Sequence, residues 1–290
     1  MPKPLVLDLD GSLRCLEGAQ VLPLGTWQED IRFGCGAAVW KRFEGHLRER
    51  LPEDHGTVFL GSGDYHHLSH LLLKRLGPAG PFDLVVLDNH PDNMRFPFGI
   101  HCGSWVRHAA RLPWIRTIHV VGICSDDVGR GHAWENHLLP LYRGRVRYWT
   151  IGVDTGWARA VGLAKAFRSF AGGGELVDAF VAAQAGESIP VYLSIDKDVL
   201  APEVARTNWD QGRLDLDQVG RVIESLAGRL VGSDITGEVS IHRYRTPWKR
   251  WLSALDRQPP IPEATLAQWQ AQQIDVNRRL LPWIEAAYRR

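Results

Sequence analysis

Cysteine is scarce and scattered. Cys15, Cys35, Cys102 and Cys124 are spread over 290 residues without a Cys-x-x-Cys pair, which argues against a disulfide framework and fits reduced thiols in a cytosolic protein. Surplus charge is missing too. With 34 Lys+Arg against 33 Asp+Glu, nothing calls for nucleic acid or an anionic membrane as the main partner. No apolar run approaches membrane length, and the stretch around Leu5-Val6-Leu7 is too short for a signal peptide, so a soluble, cytoplasmic protein is expected. Gly34-x-Gly36 lacks the third glycine of a dinucleotide fingerprint. No repeat, long linker or composition break divides the chain, whose length suffices for one sizeable core. A single domain over residues 1–290 is therefore expected.

What the chain does have is a series of short apolar, β-branched runs: Leu5–Leu9, Thr57–Leu60, Leu84–Leu87, Ile118–Ile123, Val146–Val153, Val191–Ile195 and Leu230–Ile235. Each is about a strand long and apolar on both faces, as inner strands of a parallel sheet are. Stretches with helical periodicity lie between them, among them Ala37–Leu51, Leu68–Leu76, Leu176–Ala185 and Leu216–Leu230. Alternating β and α elements predict an α/β fold, an open parallel sheet with helices on both faces. Gly172-Gly173-Gly174 reads as a flexible loop, and Pro259-Pro260-Ile261-Pro262 as a hinge. Beyond it, residues 263–290 form one long helix whose apolar side (Leu266, Trp269, Leu280, Trp283, Ile284) packs on its own sheet or makes a subunit contact in a homo-oligomer.

The informative polar residues follow strands, where open parallel sheets bind ligands. Val85-Val86-Leu87 runs into Asp88-Asn89-His90-Pro91-Asp92. In extended chain Asp88, His90 and Asp92 share one face, and two carboxylates with an imidazole suit Mn²⁺, Zn²⁺ or Fe²⁺. Val191–Ile195 likewise ends in Asp196-Lys197-Asp198. Either motif alone is also what a helix cap or a solvated strand end looks like; together they supply a two-metal site, with ions roughly 3.5–4 Å apart. A third cluster, Gly61-Ser62-Gly63-Asp64-Tyr65-His66-His67, turns off a strand toward a helix and offers two histidines.

In order from about residue 57 to 240, these blocks resemble the arginase/agmatinase (ureohydrolase) family. Its pattern is Gly-Gly-Asp-His-Ser, Asp-Ala-His-x-Asp, His-Gly, Ser-x-Asp-x-Asp and Asp-Ile-x-Glu-Val. This chain has Gly61-Ser62-Gly63-Asp64-Tyr65-His66, Asp88-Asn89-His90-Pro91-Asp92, His101-Cys102-Gly103, Ser194-Ile195-Asp196-Lys197-Asp198 and Asp234-Ile235-Thr236-Gly237-Glu238-Val239. The resemblance implies an arginase-like three-layer fold and hydrolysis of a guanidino C–N bond with release of urea. It makes Asp88, His90, Asp92, Asp196 and Asp198 metal ligands, with His66 as the sixth and His67 as its alternate. His101 would relay protons, Glu238 would grip the guanidinium, and Trp209 would help bind substrate. Two Mn²⁺ per chain are implied, or one if Tyr65 displaces a ligand. The departures, which include Tyr65, Cys102, Gly237, Lys197 and the loop Thr207–Gly212, mark a divergent member.

Three other functions compete. A deacetylase-like amidohydrolase would keep the fold and use one metal. A binding protein with a decayed site would have lost ligands that are present here. Leu7-Asp8-Leu9-Asp10-Gly11 looks like the nucleophile motif of haloacid-dehalogenase phosphatases, with a strand-end turn as the plainer explanation. The basic–aromatic run Ile241–Trp251 reads as a solvated loop or a site wall rather than a nucleic-acid surface. For substrate, Asn93–Ile100 offers an aromatic and apolar wall with few partners for an ammonium and a carboxylate. That favours a guanidino metabolite or an arginine-containing peptide over free arginine.

Overall fold

The computed structural model describes residues 2–13, 16–77, 80–255 and 261–288; Cys15 and Pro259-Pro260 of the expected hinge lie outside them. In chain order the strands are β1 (Leu5–Asp8), β2 (Gln20–Pro23), β3 (Gly34–Gly36), β4 (Val58–Phe59), β5 (Phe82–Leu87), β6 (Gly99–His101), β7 (Ile115–Ile123), β8 (Val146–Ile151), β9 (Phe167–Phe170), β10 (Val191–Asp196) and β11 (Leu230–Thr236). The helices are α1 (Gln28–Ile31), α2 (Ala37–Arg50), α3 (Ser69–Leu76), α4 (Trp105–Ala109), α5 (Leu138–Tyr142), α6 (Trp157–Ala160), α7 (Gly173–Gln184), α8 (Leu216–Ser225), α9 (Pro247–Leu255) and α10 (Glu263–Tyr288).

Side-chain alternation along the inner strands builds two cores, one on each face of the sheet. Leu84 and Val86 of β5 point to one side with Phe43 of α2, Leu73 of α3 and Trp105 of α4. Val85 and Leu87 point to the other with Phe180 of α7, Val222 of α8 and Leu280 and Ile284 of α10. The result is a helix–sheet–helix sandwich.

Among the described residues the main sheet has nine strands in the order β2-β1-β4-β11-β10-β5-β7-β8-β9, every neighbouring pair parallel. From β5 the chain steps outward through β7, β8 and β9, then returns to place β10 on the other side of β5. This reversal opens a crevice at the carboxyl ends of β5 and β10, the place such sheets use for ligands. A separate antiparallel pair, β3 with β6, aligns Gly34 with His101.

All seven sequence-legible runs are strands. The edge strands β2 and β9 escape the same criterion because they are short and mostly exposed. The glycine run at 172–174 is a correction: Gly172 is the N-cap and Gly173 the first residue of α7. A Cβ on Gly173 would come within 2.9 Å of Leu214 and Gln218, so close packing against the start of α8 accounts for glycine there. Helix α8 also ends earlier than expected. Leu226 and Leu230 continue its apolar spacing, but Gly228 at φ +79° turns the chain into β11. The long C-terminal helix buries Ile274, Val276, Leu280, Ile284 and Ala287 on its own sheet.

The basic–aromatic segment is tied down by charge. Lys249 Nζ donates to the carbonyls of Glu29, Asp30 and Arg32 at the end of α1, at 2.6–2.9 Å. Glu29 accepts from Thr246 N and Oγ1, Arg245 N and the His242 ring. Burial opposes ionisation of Glu29, but these donors outweigh it and hold its pKa down at about 2, against an ordinary 4.5. A depressed carboxyl pKa stabilises the fold above about pH 4.5, and that contribution fades as pH falls through about 2. Glu29→Gln should therefore lower the melting temperature at pH 7, and its deficit relative to wild type should shrink on acidification below pH 4.5. Calorimetric scans at pH 7 and in that acidic window check this; a deficit that grows in acid would contradict it.

Candidate metal centre

The crevice gathers side chains from three strand ends. Behind β4, Ser62 Oγ accepts from Asp64 N and caps a tight 3₁₀ helix, Gly63–Leu68. That turn absorbs the residue that is extra relative to the family pattern. Tyr65 is swung into the core against Arg32, fully buried, and His66 into the crevice. His67 faces away, its ring 5.5 Å from that of Trp40.

Beyond β5 the chain does not continue extended, so Asp88, His90 and Asp92 converge by a different route from strand alternation. His90 N donates to Asp88 Oδ1 at 2.7 Å, folding the backbone over. Asp92 sits at φ +46°, an uncommon conformation for a residue with a side chain. It is held there by Val106 N on its carbonyl, 2.9 Å, and Trp105 Nε1 on its carboxylate, 2.6 Å. Beyond β10, Asp198 N closes a similar turn on Asp196 Oδ1 at 3.0 Å.

Two overlapping groups result, His66/Asp88/Asp196 and Asp88/His90/Asp198, sharing Asp88. His66 Nδ1 lies 3.2, 3.1 and 3.5 Å from carboxylate oxygens of Asp88, Asp92 and Asp196. His90 Nδ1 lies 2.9 Å from Asp198 and 3.7 Å from Asp88. Donor atoms spaced by ~3.0–3.4 Å are those of neighbouring ligands about 2.1 Å from one ion.

The site is electrostatically crowded. Burial and the charge of Asp88 raise both Asp92 and Asp198 to about 7, and burial with the charge of Asp198 pushes Asp196 well above the carboxylate range. Although burial works against protonation of the two rings, the surrounding carboxylates push His66 and His90 well above ordinary imidazole. His66 Nδ1 and Asp88 Oδ2 are buried without a hydrogen-bond partner. Two divalent cations match four carboxylates in charge, take the place of the ring protons and satisfy both orphaned atoms. The donor set of carboxylates and imidazoles fits manganese-class ions.

Outer residues orient this set. His66 Nε2 bonds Ser194 Oγ at 2.9 Å, and Ser194 Oγ donates to Asp234 at 2.7 Å. Asp234 also accepts from Ser69 and Tyr192. His90 Nε2 meets Asp210 at 2.8 Å, and Asn89 Nδ2 holds the same carboxylate. A carboxylate behind a metal-ligating histidine fixes the ring and its tautomer. Asp210→Asn should therefore weaken metal binding by roughly 10–100-fold, measurable by competition with a chelator; an unchanged affinity would remove Asp210 from this role. Asp210 lies in the loop after Trp209, and nothing in the sequence marked it.

A cavity of about 560 Å³ stands over these groups, lined among others by Phe33, Phe96, His101, Trp209 and Leu252. Leu252 belongs to α9, so the basic–aromatic stretch leads into a wall of the site. Trp209 lies nearly parallel to Phe33, 6.4 Å between centroids, and edge-on to His90 at 5.9 Å. His101 stacks on Phe33 and meets the edge of Phe96. Burial, with Arg107 and His108 nearby, pushes His101 down to about 3, and its Nδ1 has no hydrogen-bond partner. Arg95, Asp127, His132 and Glu135 complete the wall at the mouth, and Phe98 turns out to solvent, 73% exposed. The 93–100 wall is thus less apolar than its sequence suggests.

Glu238 is a correction. It is 1% exposed, pairs with the buried ammonium of Lys197, accepts from Asn277 Nδ2 at 2.8 Å, and does not line the cavity. The inserted Gly237, at φ +89°, moves it out of reach, and a Cβ at Gly237 would come within 2.5 Å of Asp196. The guanidinium-gripping role implied for Glu238 is not carried by this geometry. Asp8 and Asp10 do not line the cavity either. Asp8 accepts from Gly11 N in a turn, and Asp10 is held by Ser12, Ser62, Ser240 and Arg32, the arrangement of a strand-end turn.

No family model matches the sequence. An uncharacterized protein of Thermotoga maritima is 31% identical over 190 residues, 65% of this chain and 60% of that protein, so the match spans less than two thirds of the relative. Among solved structures, the arginase of Bacillus subtilis superposes with a TM-score of 0.57 at 12% identity, covering 97% of this chain and 98% of that one. The formimidoylglutamase of Bacillus subtilis subsp. subtilis str. 168 gives 0.55 at 14% identity, covering 99% and 87%. The chain shares the three-layer α/β/α fold of these two structures. No helix among the described residues is long and apolar enough to cross a membrane.

Proposed function

We propose that the protein is a metal-dependent hydrolase that cleaves a C–N bond of a guanidino-type substrate and releases urea. The observation that carries this is the pair of ligand groups sharing Asp88 beneath a cavity at the topological reversal of the sheet. His66, Asp88, Asp92 and Asp196 would hold one manganese-class ion, and Asp88, His90 and Asp198 the other. When bound, such a pair supplies a water of lowered pKa and a Lewis acid for the carbon under attack.

The chain's own residues do the rest. Trp209 and Phe33 offer flat faces to a planar cation. His101 lines the cavity with its buried Nδ1 unpartnered, the atom through which it would relay a proton to the departing nitrogen. Phe96 and Leu252 keep bulk water from the ring. Free arginine is not the preferred substrate on this reading, because its ammonium and carboxylate would both need partners along a wall where Phe33, Phe96 and Leu252 supply none.

The burial of Glu238 favours one second reading. Without that carboxylate the cavity has lost a partner specific to guanidinium, and a deacetylase-like amidohydrolase on the same fold becomes the competitor. A screen of guanidino compounds, arginine-containing peptides and acetylated amines with Mn²⁺, scored for released urea and for released acetate, separates the two. Urea from at least one guanidino compound is expected. Acetate release with no urea from any member would replace the guanidino reading by the deacetylase-like one.

A further inference from the structure

Positive charge gathers beside a cavity mouth that also carries Asp127 and Glu135. Arg95 lines the cavity mouth and is anchored on both sides: its backbone N donates to Glu135 O at 2.8 Å and its Nε to Asn136 O at 3.2 Å. Asn136 is itself 2% exposed and fixed by Tyr148 OH at 3.1 Å. Both terminal nitrogens of Arg95 are thereby left for something else. Behind it stand Arg107 on α4 and Arg111 one turn further. None of the three forms an ion pair among the described residues, and Arg107 Nε is buried without an acceptor. They are close enough to act on one another: burial first, then Arg111 and Arg95, lower the pKa of Arg107. The neighbouring His108 and His137 are lowered by burial and by the same arginines. Of the rim carboxylates, Glu135 is taken by His132 at 2.9 Å.

We propose that Arg95, backed by Arg107 and Arg111, seats an anionic group on the tail of the substrate, so that the compound turned over ends in a carboxylate or a phosphate rather than an amine. This rests on the guanidino-hydrolase reading of the cavity for its reactive end, but not for the anion site itself. Guanidinium forks match both oxyanions through paired, charge-assisted hydrogen bonds. An unpaired arginine cluster repels itself until an anion arrives, which makes the site selective against cationic tails. Asp127 and Glu135, also at the mouth, would favour an amine-ended tail instead.

The test uses metal-loaded protein in two arms. Glutarate and inorganic phosphate are titrated calorimetrically into wild type, Arg95→Gln and Arg107→Gln, and the tighter of the two anions identifies the kind of tail. Each variant should weaken anion binding by about tenfold, as expected for the loss of a charge-assisted hydrogen bond. Anion held only by the metal pair would bind all three proteins alike. In the second arm, an ω-guanidino carboxylate and an ω-guanidino amine of equal chain length are compared as substrates. Wild type should favour the carboxylate in kcat/KM, and Arg95→Gln should cut that preference about tenfold, mainly through KM. Absent anion binding, equal binding by wild type and variants, or a preference for the amine would overturn the proposal. If neither guanidino compound is hydrolysed, the reaction assigned to the cavity fails, while the titrations still decide the anion site.

Discussion

Asp88→Asn is expected to abolish turnover and to strip metal from both positions. Asp88 is the residue common to the two ligand groups, and an amide in its place removes a negative charge and turns one donor into an NH₂ facing the cations. The loss in activity should go well beyond the roughly 10–100-fold that removal of an outer partner costs. Unfolding is readily excluded as the cause. Without metal, His66 and His90 favour the ionised Asp88 against the cost of burial, so the metal-free variant should melt somewhat lower than metal-free wild type, and a cooperative transition in both excludes unfolding. Wild type should gain melting temperature on adding Mn²⁺, because an ion bound only by the native state stabilises it, and Asp88→Asn should gain little. A variant that kept both ions and near-normal turnover would remove Asp88 from its bridging position.

Arg32→Met is expected to produce the largest loss of stability. Arg32 is 2% exposed, with Nε 2.6 Å from Asp64, Nη1 2.8 Å from Ser240 Oγ and Nη1 3.7 Å from Asp10. Removing the cation takes the counter-charge from two buried carboxylates, and breaking such a pair from one side costs about 3–5 kcal/mol. The damage should reach the site as well. Phe33, the next residue, is held at φ +69° by its N–H on Asp64 O and its carbonyl on Cys102 N, both at 3.0 Å. Its ring lies between those of His101 and Trp209. Chemical denaturation of Arg32→Met, alone and combined with Asp64→Asn, checks the origin of the effect. The double variant should regain part of the loss. A single variant as stable as wild type would contradict the ion-pair explanation.

These two residues also show what a sequence can and cannot disclose here. Asp88, His90, Asp92, Asp196 and Asp198 were legible because each set lies within five residues of a strand that advertises itself by being apolar on both faces. The structure brings them together, though by turns capped on Asp88 and Asp196 rather than by extended alternation. Arg32 gave no such signal, and Asp64 and Asp10, though each stood in a motif, gave no hint of their shared pairing with Arg32, which only the fold brings about. Asp210 reaches His90 across 120 positions. Glu238 misled for the opposite reason: its motif was nearly intact, but one inserted glycine and a buried lysine partner decide where the carboxylate points. The histidine of the first cluster stayed open between two adjacent residues until the 3₁₀ turn after Ser62 set the phase. Local patterns thus disclosed the acids and histidines that cluster in the crevice and the inner strands, while pairings across the sheet and the exposed edges β2 and β9 needed coordinates.

Everything proposed for the reaction depends on two ions held about Asp88. Protein purified without chelator, loaded with Mn²⁺ and freed of excess by gel filtration, should contain two equivalents per chain by elemental analysis. The ions should show the magnetic coupling of centres roughly 3.5–4 Å apart in an electron paramagnetic resonance spectrum. One equivalent with an uncoupled spectrum, or none in protein that still turns over substrate, would contradict the paired centre.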